Sequence, residues 1–392
     1  MHGRPEVRLK ETGSIYRKLG LQNIDFILLI IMIVLVAFGI TMVFSASYYY
    51  SISTTDNPFS YLIKEIIAVI VGTACFIAGL VLDYRNYNNK TFVIVVLAIA
   101  VLLLILVLTP AGTTVNGASR WIDIKVTTLM PGEICKPALI LFVAWFLGDN
   151  MRKVKSLVYG ILPIAFVTLI CAALIYKQPN LSTMITVCGI VVAMLLVAGM
   201  KWRWFFVIFI LGVIGIACLI IFKHDSYQVT RILTFLDPFA DEQGDGYQVV
   251  QSLLALGSGG PFGVGLGKSV QKTLYLPEPQ NDFILAIIGE ELGFIGILAL
   301  MAVYCIFIWR GAKIALRAKD QFGMLLASGI VLMVAIQVLL NVAVVTSSMP
   351  ATGINLPFIS YGGNALMIFM FCTGVLLNIS KHDIKSKENG EE

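Results

Sequence analysis

Long runs of apolar residues alternate with short polar segments along most of this chain. A helix that crosses a bilayer needs about 20 predominantly apolar residues. Such runs predict ten transmembrane helices, over residues 26–46, 61–82, 91–109, 132–147, 157–176, 182–200, 204–222, 282–309, 322–346 and 364–379. The fourth run is the weakest, because it is short, lies next to prolines and contains Glu133 and Lys136. The pattern predicts an all-α polytopic membrane protein of about ten helices.

The segments between the apolar runs differ in charge. One alternate set of loops holds nineteen of the 28 Lys and Arg residues and the other holds seven; the basic set is 1–25, 83–90, 148–156, 201–203, 310–321 and 380–392. Because short loops rich in Lys and Arg stay in the cytoplasm, both termini are predicted to be cytoplasmic. The chain then divides into a cytoplasmic N-terminal segment (1–25), a single transmembrane domain (26–379) and a cytoplasmic tail (380–392). One long extracytoplasmic loop, 223–281, lies within the domain, and long loops of this kind are usually functional.

Composition excludes the soluble classes of protein. Apolar residues make up 58% of the chain and charged residues 13%, with a mean hydropathy of +0.89. A soluble domain has about 45–50% apolar and about 25% charged residues. The net charge of +5 comes mostly from the basic loops, so no nucleic-acid partner is expected. The three histidines and seven cysteines show no metal-binding spacing.

A pair of charged residues lies inside the fourth apolar run, just after the polar motif Asn116–Ile122. Glu133 and Lys136 are three residues apart and therefore share one helix face, where they can pair. Ionisable groups within membrane helices usually face a cavity and mark a substrate pathway. Spacing alone leaves both interpretations open, a structural ion pair and a functional site.

Two further polar motifs fall on the same predicted face of the membrane. Lys177–Thr183 is typical of a turn followed by a helix cap. Thr352–Asn364 is apolar but rich in turn residues, which predicts a re-entrant stretch packed inside the protein.

The long loop ends in the motif Leu276–Phe283, where Asp282 stands at the predicted start of the eighth helix. An Asp there can cap the helix and interact favourably with its dipole. It can also serve as a general base at the mouth of a membrane cavity. Both interpretations remain open from the sequence position alone.

The glycine-rich part of this loop imitates a nucleotide-binding P-loop without fitting it. A P-loop has the spacing G-x-x-x-x-G-K-[ST] after a strand. Gly267, Lys268 and Ser269 supply the last three positions, but Phe262 stands where the first glycine is required. Nucleotide binding is therefore not expected here.

Five of these motifs, in order along the chain, resemble the SEDS family (shape, elongation, division and sporulation), typified by RodA, FtsW and SpoVE. The motifs are Asn116–Ile122, Gln178–Thr183, Gly246–Gln251, Tyr275–Gly293 and Gly353–Gly363. The resemblance covers nearly the whole chain, from Met42 to Gly374, and five motifs on one membrane face make it highly specific. The Leu-Pro-Glu-Pro-Gln sequence at 276–280 is most like the division and sporulation branch.

The resemblance implies a peptidoglycan glycosyltransferase that polymerises lipid II into β-1,4 glycan strands for division or sporulation. The reaction is expected to invert the anomeric carbon and to release a polyprenyl diphosphate at the outer leaflet of the bacterial plasma membrane. The implied partners are a class B penicillin-binding protein, which is a transpeptidase, and other divisome or elongasome membrane proteins. Two alternatives remain: a lipid II flippase, which needs a basic cavity but no base, and a non-catalytic division scaffold.

The resemblance also assigns residues. The family's essential acidic residue maps onto Asp282, which is the expected catalytic base, and its charged pair maps onto Glu133 and Lys136. Arg120 and Lys136 are expected to bind the diphosphate, with Glu133 orienting Lys136. Supporting roles are expected for Lys64, Gln178, Arg231, Glu278, Glu290 and Ser360. A divalent cation, Mg²⁺ or Mn²⁺, could assist the departure of the diphosphate, and the sequence leaves its requirement open.

The chain departs from the family pattern at two places. Asn180 stands where Asp is common, so no catalytic role is assigned to that position. Gln280 and Asn281 stand where many relatives have His and Thr.

Overall fold

The computed structural model describes residues 24–110, 112–115, 118–123, 128–222, 234–244 and 246–382. Its α-helices are α1 (Phe26–Thr55), α2 (Ser60–Val81), α3 (Lys90–Leu106), α4 (Pro131–Gly148), α5 (Leu162–Lys177), α6 (Leu181–Val197), α7 (Trp202–Phe222), α8 (Tyr247–Gly259), α9 (Ile284–Arg317), α10 (Gln321–Val345) and α11 (Gly363–Ser380). A small antiparallel sheet, β1 (Gly112–Val115), β2 (Ala118–Asp123) and β3 (Thr128–Leu129), connects α3 to α4.

Each predicted apolar run coincides with one of these helices. Among the described residues, seven helices are long and apolar enough to cross a membrane: α1, α2, α4, α5 with the preceding π-helical turn Leu157–Ile161, α9, α10 and α11. The other three runs correspond to the shorter apolar helices α3, α6 and α7. The chain is therefore a mostly helical, multi-pass membrane protein, and the count of ten spans remains a prediction.

The weak fourth run forms α4, at the centre of the helix bundle. α4 packs against α3, α6 and α10, and most of its residues are buried inside the protein. Its charged side chains therefore contact protein rather than lipid, which explains how a helix of low hydropathy is tolerated there.

One end of the bundle, which carries the N-terminus of α1, is held together by polar contacts. Arg310 Nη2 lies 2.6 Å from Asp25 Oδ2, and the Tyr84 backbone N–H donates to Asn378 Oδ1 at 3.0 Å. The Tyr84 hydroxyl donates to Asp320. The pKa of Tyr84 is raised to about 12, mainly by burial and to a smaller extent by the hydrogen bond to Asp320. The phenol therefore keeps its proton and remains a donor. The candidate site lies at the opposite end, called the site end, with the sheet, the 178–180 turn and residues 346–362.

α9 is broken near its beginning, at Gly293, where the backbone has φ 71° and ψ −172°. Glycine adopts this conformation without the penalty that a Cβ would add. The backbone groups released at the break bond to the preceding loop: Val264 N–H donates to Glu290 O at 2.9 Å, and Phe294 N–H donates to Gly260 O at 2.9 Å. The loop therefore supplies the hydrogen bonds that the helix itself lacks at the break.

This break corrects the predicted eighth span, 282–309. The helix begins at Ile284 rather than at 282, and it extends to Arg317. Residues 284–292 form a separate, deeply buried segment ahead of the break. The hydropathy pattern joined the two parts because both are apolar.

Candidate functional site

Asp282 lies at the site end, in the turn that precedes α9, and is half-buried. The N-cap position of the helix belongs to Phe283, whose side chain makes no capping hydrogen bond. The helix therefore begins two residues after Asp282, and the prediction that Asp282 opens it is wrong. Its carboxylate lies close to Gly353: a Cβ atom placed on that glycine would be 3.5 Å from Asp282 Oδ2.

The backbone of Asp282 is attached to α10 through Asn341. The Asn341 amide donates to the carbonyl oxygen of Asp282 at 2.7 Å and to that of Ile354 at 2.6 Å. Asn341 is fully buried. One side chain thus ties the turn before α9 to the irregular segment 352–362, which packs inside the protein as predicted.

The predicted charge pair forms near the beginning of α4. Lys136 Nζ lies 2.6 Å from Glu133 Oε1, with side-chain exposures of 3% and 9%. Lys136 also donates to Gln337 Oε1 on α10 at 3.2 Å. Because Gln337 and Asn341 are four residues apart, they share one face of α10. This face therefore connects the Lys136 ammonium with the backbone of Asp282.

Arg120 lies on β2 and donates to the carbonyl oxygen of Pro179. The adjacent turn is a helix cap, as predicted, because Asn180 Oδ1 accepts a hydrogen bond from Thr183 N–H at 3.2 Å. A Cβ built on Gly132, at the start of α4, would lie 3.0 Å from Thr183 Cγ2. The turn therefore brings the strand of Arg120 next to the helix of Glu133 and Lys136.

Three of the residues expected to support the site make hydrogen bonds within the protein, the first to the end of α3 and the other two within their own turns. Gln178 Nε2 donates to Leu104 O at 2.9 Å. Ser360 Oγ accepts from Leu356 N–H at 2.7 Å. Glu278 Oε2 accepts from Asn281 Nδ2 at 2.6 Å. These contacts leave the expected roles untested.

The remaining supporting residues are placed differently. Lys64 is exposed, and its Nζ lies 5.7 Å from the centre of the Tyr61 ring. Glu290 is buried and accepts hydrogen bonds from the Ser269 hydroxyl and from Val270 N–H, the latter at 2.9 Å. Arg231 lies outside the described residues.

Three further polar residues that the sequence did not predict as part of the site are buried at this end: Gln337, Asn341 and Glu65. Glu65 lies against the backbone of Gly362. Gln337 and Asn341 interrupt the apolar run 322–346 at helical spacing, and Glu65 is the acid in the run 61–82. Burying a polar group in a membrane helix is unfavourable, so polar residues within these apolar runs could have been recognised as candidates for the site.

In the part of the chain that the structure describes, no group of three or more His, Cys, Asp and Glu side chains lies close enough together to hold a metal ion.

The fold and the site together define a polytopic helical membrane protein with a partly charged polar site at one end. The chain belongs to the FtsW/RodA/SpoVE family of cell cycle proteins, whose family model matches residues 25–385. The SEDS resemblance is thereby confirmed.

Two curated relatives are similar over most of their length. Stage V sporulation protein E of Bacillus subtilis is 38% identical over 359 residues, covering 91% of this chain and 97% of that protein. The probable peptidoglycan glycosyltransferase FtsW of Trichlorobacter lovleyi is 39% identical over 364 residues, covering 92% of this chain and 94% of that protein. These names agree with the predicted division and sporulation branch.

Solved structures show the same architecture. A chain from a peptidoglycan synthase complex that coordinates polymerization and crosslinking has a TM-score of 0.77 and 26% identity, covering 93% of this chain and 99% of its own. The rod shape determining protein RodA of Thermus thermophilus has a TM-score of 0.66 and 25% identity, covering 93% of this chain and 98% of its own.

Proposed function

We propose that this chain is a peptidoglycan glycosyltransferase that polymerises lipid II. The observation that carries the proposal is the polar path across the bundle: Lys136 contacts Gln337, and Asn341, one turn further along α10, contacts Asp282. A base and a cation on one connected face are what an inverting transfer from a diphosphate donor requires. The relatives named above support the same activity.

In the proposed step, the 4-hydroxyl oxygen of the acceptor sugar attacks C1 of the donor sugar. The new O–C1 bond forms as the bond between C1 and the diphosphate oxygen breaks, and the configuration at C1 inverts from α to β. The hydroxyl proton passes to the Asp282 carboxylate. General-base assistance of this kind is worth about 10²–10⁴ in rate.

The leaving group is a polyprenyl diphosphate, which departs with the electron pair of the broken bond. Lys136 and Arg120 stabilise the negative charge that develops on it. Glu133 orients the Lys136 ammonium through their 2.6 Å contact. Apolar helix surfaces accommodate the polyprenyl chains.

A divalent cation would bind the oxygens of the substrate's diphosphate together with one or two protein carboxylates. The described residues offer no protein-only group of three ligands, whereas Mg²⁺ commonly uses one or two carboxylates together with phosphate oxygens. No step above is derived through a cation. Loss of activity in a chelator and its recovery with added Mg²⁺ or Mn²⁺ would establish the requirement.

The orientation and partners belong to the same proposal. The excess of Lys and Arg in one set of loops favours an orientation with both termini in the cytoplasm, which agrees with an even count of ten spans. The site end then faces outward, where the glycan is built. We expect a class B penicillin-binding protein to bind this chain and to cross-link its product, together with other division membrane proteins.

The decisive experiment measures lipid II polymerisation by the purified protein with its transpeptidase partner. Asp282→Ala should abolish glycan synthesis, whereas the matched control Glu242→Ala, at an exposed acid of the long connection, should leave it within about twofold. Polymerisation by Asp282→Ala at the normal rate would contradict the proposed site. If that variant instead loses polymerisation but translocates labelled lipid II, transport would be a separate property of the chain.

A further inference from the structure

Asn341 is a polar side chain fully buried in a membrane-crossing helix. Its two amide hydrogens are both used, on the carbonyls of Asp282 and Ile354. Its Oδ1 has no partner among the described residues. The donor pair is therefore what this side chain contributes to the structure, and removing the amide leaves two carbonyls without these bonds.

The segments that Asn341 joins have little regular structure of their own. Asp282 lies two residues before the first residue of α9. Ile354 follows Gly353, whose φ of 73° is in the left-handed region. The Asp282 carboxylate lies against Gly353, so Asn341 fixes both the backbone that carries the carboxylate and the segment that bounds it.

The same face of α10 also contacts the proposed leaving-group cation. Gln337 Oε1 accepts from Lys136 Nζ at 3.2 Å. Four residues of α-helix rise about 6 Å, so these two contacts are held a fixed distance apart by the helix backbone. An in-line transfer requires such a fixed distance, because the base and the leaving group act on opposite sides of C1.

We infer that Asn341 is a positioning residue for the glycosyl transfer. By holding the backbone of Asp282, it keeps the Asp282 carboxylate at a fixed distance from the Lys136 ammonium. Gln337, one helical turn away from Asn341 on α10, holds that ammonium. Asn341 acts through Asp282 and takes no part in proton transfer. The inference rests on the proposed function.

The test is Asn341→Ala, measured as kcat and KM for lipid II polymerisation per folded protein. A displacement of the base by about 1 Å costs on the order of 10² in rate. We therefore expect kcat to fall by about ten- to a hundredfold, with KM within about threefold of the wild type. A merely structural loss lowers thermal stability without this selective effect on the rate.

Asn378→Ala is the matched control. Asn378 is equally buried in a membrane helix, and it also makes two backbone hydrogen bonds, with Leu80 O at 2.7 Å and Tyr84 N–H at 3.0 Å. It lies at the opposite end of the bundle. This variant should lose thermal stability to a similar degree while its kcat per folded protein stays within about threefold.

Normal kcat in Asn341→Ala, or an equal loss of kcat in both variants, would overturn the inference. If Asn341→Ala does not accumulate in the membrane, the polar variant Asn341→Ser is measured in the same way. Failure of both to accumulate, when Asn378→Ala does, would assign Asn341 to folding and also overturn it. An inactive Asp282→Ala beside a fully active Asn341→Ala removes this inference alone, whereas an active Asp282→Ala removes the proposed base itself.

Discussion

Lys272 and Glu291 form a buried ion pair, with Nζ 2.6 Å from Oε1, that joins the long connection to α9. The Ser45 hydroxyl of α1 donates to the same carboxylate at 2.7 Å. The neighbouring Glu290 binds the backbone at Val270. Glu290 and Glu291 are costly to bury in an apolar helix, and both are used to attach the long connection to α9.

Lys272→Met should destabilise the protein substantially. It leaves the Glu291 carboxylate buried without its counter-charge, a loss of about 3–5 kcal/mol for pairs of this kind. Thermal unfolding of the detergent-solubilised protein measures the effect. The double variant Lys272→Met with Glu291→Gln should recover most of the stability, because no unpaired charge remains.

Lys268→Met is the control for this prediction. Lys268 lies in the same loop but is exposed, so its loss should change stability by no more than about 0.5 kcal/mol. Equal melting temperatures for Lys268→Met and Lys272→Met would mean that the ion pair does not anchor the loop.

Asp282→Asn should separate folding from chemistry. The amide has nearly the shape of the carboxylate but lacks its basicity, so the melting temperature should change little. The polymerisation rate should fall by about 10² or more. Near-normal glycan synthesis by this variant would remove Asp282 from the proposed mechanism.

Lys136→Met tests whether the ammonium serves the diphosphate or only pairs with Glu133. The single variant should be inactive, since it removes the charge and leaves a buried acid. If Lys136 binds the leaving group, the double variant with Glu133→Gln should accumulate normally and remain inactive. Recovered polymerisation in the double variant would return both residues to a structural role.

Cysteine labelling of intact cells checks the proposed orientation. A cysteine at Glu242 should react with a membrane-impermeant maleimide, and one at Lys387 should react only after the cells are opened. The parent protein measures any background from the native cysteines, of which Cys305 is exposed. Labelling at 387 but not at 242 would place the site end in the cytoplasm.

The helices could be predicted from sequence because each apolar run must satisfy its own backbone hydrogen bonds in lipid. The cap at Asn180 and the pairing of Glu133 with Lys136 were also predictable, since both are local. The contact between Lys136 and Gln337 joins residues 201 positions apart, and no local pattern contains that information. The break at Gly293 was not predicted either, because the hydrogen bonds that stabilise it come from residues 260–264, about 30 positions earlier in the chain.

That break has a consequence for how the protein is made. The ribosome delivers residues 260–265 before it delivers α9, so the donors and acceptors that complete the broken helix already exist when Gly293 emerges. The peptide groups at the break thus depend on partners that precede them in the chain. Synthesis order makes those partners available before the groups that need them.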